Sequence, residues 1–188
     1  MDESPWEEIR FPAIAATVVA LYFASHFRQY LPITDAWATI ETVLLPLTAL
    51  DVAFHEAGHL LLGLFGWEFL RIAGGTIFQF AIPAACLFHF VSQRSRAGVG
   101  FCAFWIGKNL VNISLYAADA QSQSLILITG MSGREGGFHD WGHMLTQLGL
   151  LKRCVGIGQG IFVAGVWLMV FALAWFLVLT RRRLHKSY

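Results

Sequence analysis

Charge is the scarcest commodity in this chain: Asp, Glu, Lys and Arg make up 13% of 188 residues, against about 25% in soluble domains. The few charges nearly cancel, to a net +1, so there is no basic footprint for nucleic acid. Cysteine is also sparse. Cys86, Cys102 and Cys154 are an odd, scattered set with no C-x-x-C, which excludes a disulfide framework and a cysteine zinc site. Cys86 and Cys102 read as small apolar residues within helices. A basic n-region is missing too. Met1–Glu8 is acidic, so the apolar run behind it is expected to be a retained span rather than a cleaved leader. Whole-unit repeats and low-complexity tracts are absent.

What fills the chain instead is hydrophobic sequence, 56% of residues, with a mean hydropathy of +0.59. That composition fits an integral membrane protein. A helix crosses the hydrocarbon layer with about 20 apolar residues, and five stretches approach this length. The expected fold is an all-α bundle of about five transmembrane helices, at about 11–31, 38–65, 72–93, 97–118 and 155–180. It would form one polytopic domain over 1–188, multi-pass in the cell membrane, its main partner the lipid bilayer. Between the last two spans, residues 120–151 hold a glycine-rich stretch, Gly130–Gly137, readable as a loop, lid or linker. Trp141, Leu145, Leu148 and Leu151 then recur near helical spacing, which predicts a short interfacial helix. Placing Arg94, Arg96 and the tail Arg181–Lys186 in the cytoplasm obeys the positive-inside rule and puts the N-terminus outside.

The second span carries the chemistry. His55-Glu56-Ala57-Gly58-His59 is H-E-x-x-H, and residues four apart share one helix face, so both imidazoles can reach one ion. Imidazole is a zinc ligand, and Glu56 lies beside that face, where its carboxylate can accept a proton from an attacking water. With seven His and seven Glu, one such match is expected in roughly one of a hundred shuffled chains. Ionisable residues within a span are costly unless they are paired or functional. Asp51, one turn before His55, either accepts the second ring N–H of a ligating histidine or caps a helix restarting after Pro46.

Zinc needs a third ligand, and two candidates follow. On the fourth span Asn109, Asn112, Tyr116 and Asp119 form a polar stripe on an apolar helix, ending at Asp119. The second candidate is His139-Asp140-Trp141-Gly142-His143, which echoes the first motif as H-[D/E]-x-G-H. There His139 or His143 could ligate the ion or bond a developing oxyanion, with Asp140, His143 and Asn112 as supporting residues. Lys108, mid-span, must face a cavity or a carboxylate such as Glu41 or Asp51. Pro83, four residues after Gln79, would free a helix carbonyl. Gly74-Gly75 reads either as a turn before the third span or as a place where backbone approaches a substrate strand.

A transmembrane H-E-x-x-H at His55–His59 with an aspartate on a later span resembles the site-2-protease class of intramembrane zinc metalloproteases. Trp105-Ile-Gly-Lys-Asn109, Tyr116–Ala120 and His139-Asp-Trp141 are similar to segments of bacterial membrane proteins of an M50-like type. The resemblance implies Zn²⁺ on His55, His59 and Asp119, with His139 also in the site, Glu56 as general base and a polypeptide substrate. That class keeps its zinc nearer the cytoplasm, whereas the positive-inside count here puts the motif on the outer side. The expected activity is therefore a membrane-embedded zinc metallopeptidase. Two alternatives differ in class: a membrane non-haem iron oxygenase of the desaturase kind, and a non-enzymatic metal transporter.

Overall fold

The chain is described by a computed structural model covering Ile14 and residues 36–184, with side chains over 46–181. The expected span at 11–31 and the side chain of Glu41 lie outside the described residues. Among the described residues from Ala36 onward, five α-helices follow in order: α1 (Ala36–Gly63), α2 (Glu68–Ser92), α3 (Arg96–Ala118), α4 (Asp140–Gln147) and α5 (Cys154–Leu184). No strand occurs among the described residues. An antiparallel bridge, Ile126 to Ser132, pinches the long loop before α4. The all-α expectation holds, and α1, α2, α3 and α5 match the stretches expected at 38–65, 72–93, 97–118 and 155–180.

Local chemistry sets the helix ends. Beyond α1 the chain turns through Gly66, whose φ of 70° suits a residue without a Cβ. Glu68 opens α2 with negative charge at the positive end of the helix dipole. The Ser95 hydroxyl accepts from the Gly98 N–H at 3.3 Å and caps α3. Helix α1 runs straight through Pro46, so Asp51 is not the cap of a restarted helix. Gly74-Gly75 is likewise not a turn but lies inside α2.

Two described helical stretches are long and apolar enough to cross a membrane, Glu68–Ser92 and Leu151–Arg181. Helix α3 has the length, but Lys108, Asn109 and Asn112 dilute its apolar composition, and in α1 Asp51, His55, Glu56 and His59 cluster in the C-terminal half.

The chain divides into two compact units, each built from separated segments. One comprises 1–49, 83–107 and 166–188; the other comprises 50–82 and 108–165. In the first unit the Trp175 indole donates to the Arg96 carbonyl at 2.7 Å. A Cβ on Gly100 would stand 2.9 and 3.0 Å from the Trp175 and Phe176 rings, so glycine there lets α3 and α5 approach closely.

The second unit holds every chemistry-bearing residue named above. Its helices meet at glycines: a Cβ on Gly58 would collide with the Gly74 carbonyl, and one on Gly158 would stand 2.7 Å from the Ser114 carbonyl. Helix α4 is held by two apolar clusters. Met144 packs on Ile72 and Ala73, while Leu145 packs on Ala120 and Cys154, with Trp141 touching both groups. Full burial of side chains this size contributes about 1.5–3 kcal/mol each. Trp141 also donates its indole N–H to Thr76 Oγ1 at 3.2 Å. These contacts fix α4 against α2, which matters because Asp140 is its first residue.

Candidate metal centre

In α1 the four-residue spacing puts His55 and His59 on one face, and the ring nitrogens meet: Nε2 to Nε2 is 3.0 Å. Asp140 Oδ2 completes a triangle with them, 3.2 Å from His55 Nε2 and 3.4 Å from His59 Nε2. The triangle is made of acceptors. His59 Nδ1 donates to the Arg71 carbonyl at 2.8 Å, and a carbonyl can only accept, so Nδ1 holds the hydrogen.

The other imidazole is oriented by a longer chain. Pro83 has no N–H, which leaves the Gln79 carbonyl without its intrahelical donor. Asn109 Nδ2 supplies one at 2.9 Å, as the freed carbonyl implied. That bond turns Asn109 Oδ1 toward Gln79 Nε2, at 3.4 Å, so Gln79 Oε1 accepts from His55 Nδ1 at 3.3 Å. Both Nε2 atoms therefore present lone pairs to a carboxylate oxygen. Three acceptors this close need a cation among them, either a proton on one imidazole or a metal ion. Ligands about 2.0–2.1 Å from a tetrahedral ion stand about 3.3 Å apart, close to the observed edges.

Space is also reserved. A Cβ on Gly75 would lie 2.5 Å from His55 Nε2 and 2.6 Å from His59 Nε2. Only glycine on this turn of α2 leaves the two ligand atoms their positions. His55, His59 and Asp140 form a group that could hold a metal ion, their ligand atoms all within 4.8 Å of one another. No family model, no curated protein and no solved structure matches this chain. The reading of the site therefore rests on its own geometry.

That geometry brings together part of the expected set. Asp140, expected as a supporting residue, joins the histidines, whereas Asp119 and His139 are not members of the group. Asp119 spends its lone pairs on the loop that follows it. Oδ1 accepts from the Ser122 hydroxyl, from Ser124 N at 3.1 Å and from Ser124 Oγ at 2.8 Å, and Oδ2 accepts from Leu125 N at 2.9 Å. His139 is wholly buried, and its Nδ1 accepts from Gly142 N at 3.0 Å, capping α4. His143 turns Nδ1 back to the His139 carbonyl at 3.0 Å and stacks on Phe138, rings 4.0 Å apart. Asp51 is no acceptor for His55. It pairs with Lys108 in a contact buried on both sides, which answers which carboxylate faces that lysine.

Charges follow from these surroundings. Burial pushes the Asp140 carboxyl up, but when a proton rather than a metal lies among the three groups, the facing imidazoles outweigh burial and hold the carboxyl at about 2. Burial also pushes Asp119 up, yet bonds from Ser122, Leu125 and Ser124 hold it below the usual carboxylate range. His139 is pushed down, chiefly by burial and against the pull of Asp119, which keeps it neutral and its Nδ1 free to cap.

The group opens onto a cavity of about 670 Å³. Glu56 is exposed and lines it, together with Asn112, Tyr116 and Arg71. The loop 125–129 and Phe138 give it apolar walls. Tyr116 touches Asp140 directly: its hydroxyl accepts from Asp140 N at 3.0 Å and lies 3.5 Å from Asp140 Oδ2. Gln79, the Arg71 carbonyl and Gly75 are the residues sequence reasoning missed. The Gly74-Gly75 pair was a signal for Gly75 and Pro83 one for Gln79, and both have meaning only once the helices are packed together.

Proposed function

We propose that this protein is a membrane-embedded zinc metallopeptidase, similar in its motif to the site-2-protease class, acting on a polypeptide. The observation that carries the proposal is the triangle of His55 Nε2, His59 Nε2 and Asp140 Oδ2 beside Glu56 in one cavity. Zinc bound there would lower the pKa of a water toward neutrality and polarise a scissile carbonyl. Glu56, one residue from His55 and facing the cavity, takes the proton of the attacking water and returns it to the leaving amine. Gln79 and the Arg71 carbonyl keep both imidazoles in the ligating tautomer. The apolar cavity wall suits an apolar stretch of chain.

Insertion as a multi-pass bundle is part of the proposal. The two apolar helical stretches are only 17% and 22% buried, unlike the core helix of a soluble protein. Polar groups on α1, α2 and α3 satisfy one another, Asp51 with Lys108, His55 with Gln79 and Gln79 with Asn109, so a bilayer would not meet them bare.

Purified protein tests this. Glu56→Gln is expected to keep its metal and lose about 10²–10⁴-fold in hydrolysis of a membrane-protein substrate or casein. Full turnover by Glu56→Gln, or a wild-type protein that cannot take up zinc, contradicts it. One observation favours a second reading: two imidazoles and one carboxylate also suit ferrous iron. Iron in the purified protein with substrate-dependent oxygen uptake would establish that reading, in which Glu56 has no role.

A further inference from the structure

We propose that Asp119 and His139 are a positioning pair that fixes the first turn of α4 and thereby sets Asp140 against His55 and His59. The inference rests on the metal-centre reading and assigns these two residues a task other than ligation.

His139 has no exposed surface, and its two ring nitrogens face the Gly142 N–H and the Asp119 carboxylate. Nδ1 accepts from Gly142 N, the bond that starts α4. Nε2 is the buried side-chain polar atom without a hydrogen-bond partner among the described residues. It stands 3.4 Å from Asp119 Oδ2, near enough for attraction but not aligned for a hydrogen bond. The Tyr116 ring lies 4.2 Å from the His139 ring and closes its other side. Gly142 allows the close approach, since a Cβ there would stand 3.2 Å from the Ala120 carbonyl and 3.4 Å from His139 Nδ1.

Asp119 anchors this assembly to the end of α3. Its carboxylate organises residues 122–125 and attracts the imidazole that caps α4. The next residue after that cap is Asp140, whose N–H is held by Tyr116. An error of a few tenths of an ångström at the cap is transmitted directly to Oδ2. Ligand distances tolerate about 0.2 Å, so a loosened cap weakens the ion's hold while leaving the ligand set unchanged.

Cobalt(II) titration of the full-length protein separates positioning from ligation, because its visible absorption reports the ligand set and its titration reports affinity. Asp119→Asn and His139→Leu are expected to weaken cobalt binding about 10–100-fold with unchanged band positions. His139→Asn keeps an oxygen suited to an N-cap and is expected to bind more tightly than His139→Leu, with the wild-type spectrum. His59→Ala, which deletes a ligand, is expected to change the spectrum or abolish it.

Wild-type affinity in both Asp119→Asn and His139→Leu overturns the positioning role. So does a spectrum altered in either, or in His139→Asn, which would make the residue a ligand. If Asp119→Asn or His139→Leu does not fold, the spectrum and affinity of His139→Asn against wild type decide. A wild-type protein that gives no cobalt spectrum removes the metal centre itself, and this inference with it.

Discussion

Gly75→Ala is the smallest perturbation that should empty the centre. The new Cβ would stand 2.5 Å from His55 Nε2 and 2.6 Å from both His55 Cε1 and His59 Nε2. Relief to ordinary contact requires both rings to retreat by about 0.9 Å. Overpacking of this kind costs about 1–3 kcal/mol, while exchanging glycine for alanine inside a helix returns about 1 kcal/mol. The fold should therefore survive with at most about 2 kcal/mol lost. Metal binding should not survive, because ligand atoms tolerate about 0.2 Å and must move several times that. A loss of at least about 100-fold in affinity is expected, or about 2.8 kcal/mol. Zinc or cobalt titration reads the affinity, and thermal unfolding by circular dichroism reads the fold. Gly156→Ala in α5 is the control, because nothing lies within 4 Å of its Cβ position and no effect on metal is expected. Wild-type metal affinity in Gly75→Ala would refute the reasoning.

Other consequences follow from the same contacts. Gln79→Leu removes the acceptor for His55 Nδ1 and should weaken metal binding about 10–100-fold at nearly constant helix content, by titration and circular dichroism. Lys108→Met removes the cation of the buried Asp51–Lys108 pair and should destabilise by about 3–5 kcal/mol, while Lys108→Met with Asp51→Leu should recover part of it in thermal melts. The pH dependence comes from Asp119, whose folded-state pKa is depressed. Its contribution is complete above the unfolded value of about 3.9 and disappears as pH falls through the lower folded value. Protection of the Ser124 and Leu125 amides from hydrogen exchange, corrected for intrinsic rates, should fade over that acid range, and Asp119→Asn should flatten the dependence.

Much of the helical order was legible because long apolar runs have few alternatives. The stretch expected at 97–118 is Arg96–Ala118, and the one expected at 155–180 lies within Cys154–Leu184. The H-E-x-x-H pair was legible because helical geometry alone places His55 beside His59. The polar stripe on α3 was legible as a stripe, and Asn109 and Tyr116 both reach the centre through it.

The third member of the group was harder to read, because it depends on how the loop folds back. His139 and Asp140 are neighbours, but His139 is the cap and Asp140 the first helical residue, so their side chains diverge. Histidine is not among the preferred caps, which left nothing in the sequence to mark the exchange of roles. Asp119 did carry a signal. Ser122 and Ser124 follow it at three and five residues, a pattern in which a carboxylate binds its own downstream backbone. Read that way, Asp119 is occupied before any metal arrives.

The central claim is that His55, His59 and Asp140 together hold one metal ion. Metal content of purified wild-type protein, beside Asp140→Ala and Asp119→Asn after equilibration with limiting zinc, tests it most directly. The account predicts one zinc per chain in the wild type, almost none in Asp140→Ala, and a weakened but saturable site in Asp119→Asn. A wild type that stays metal-free, or an Asp140→Ala protein that fills as the wild type does, contradicts it.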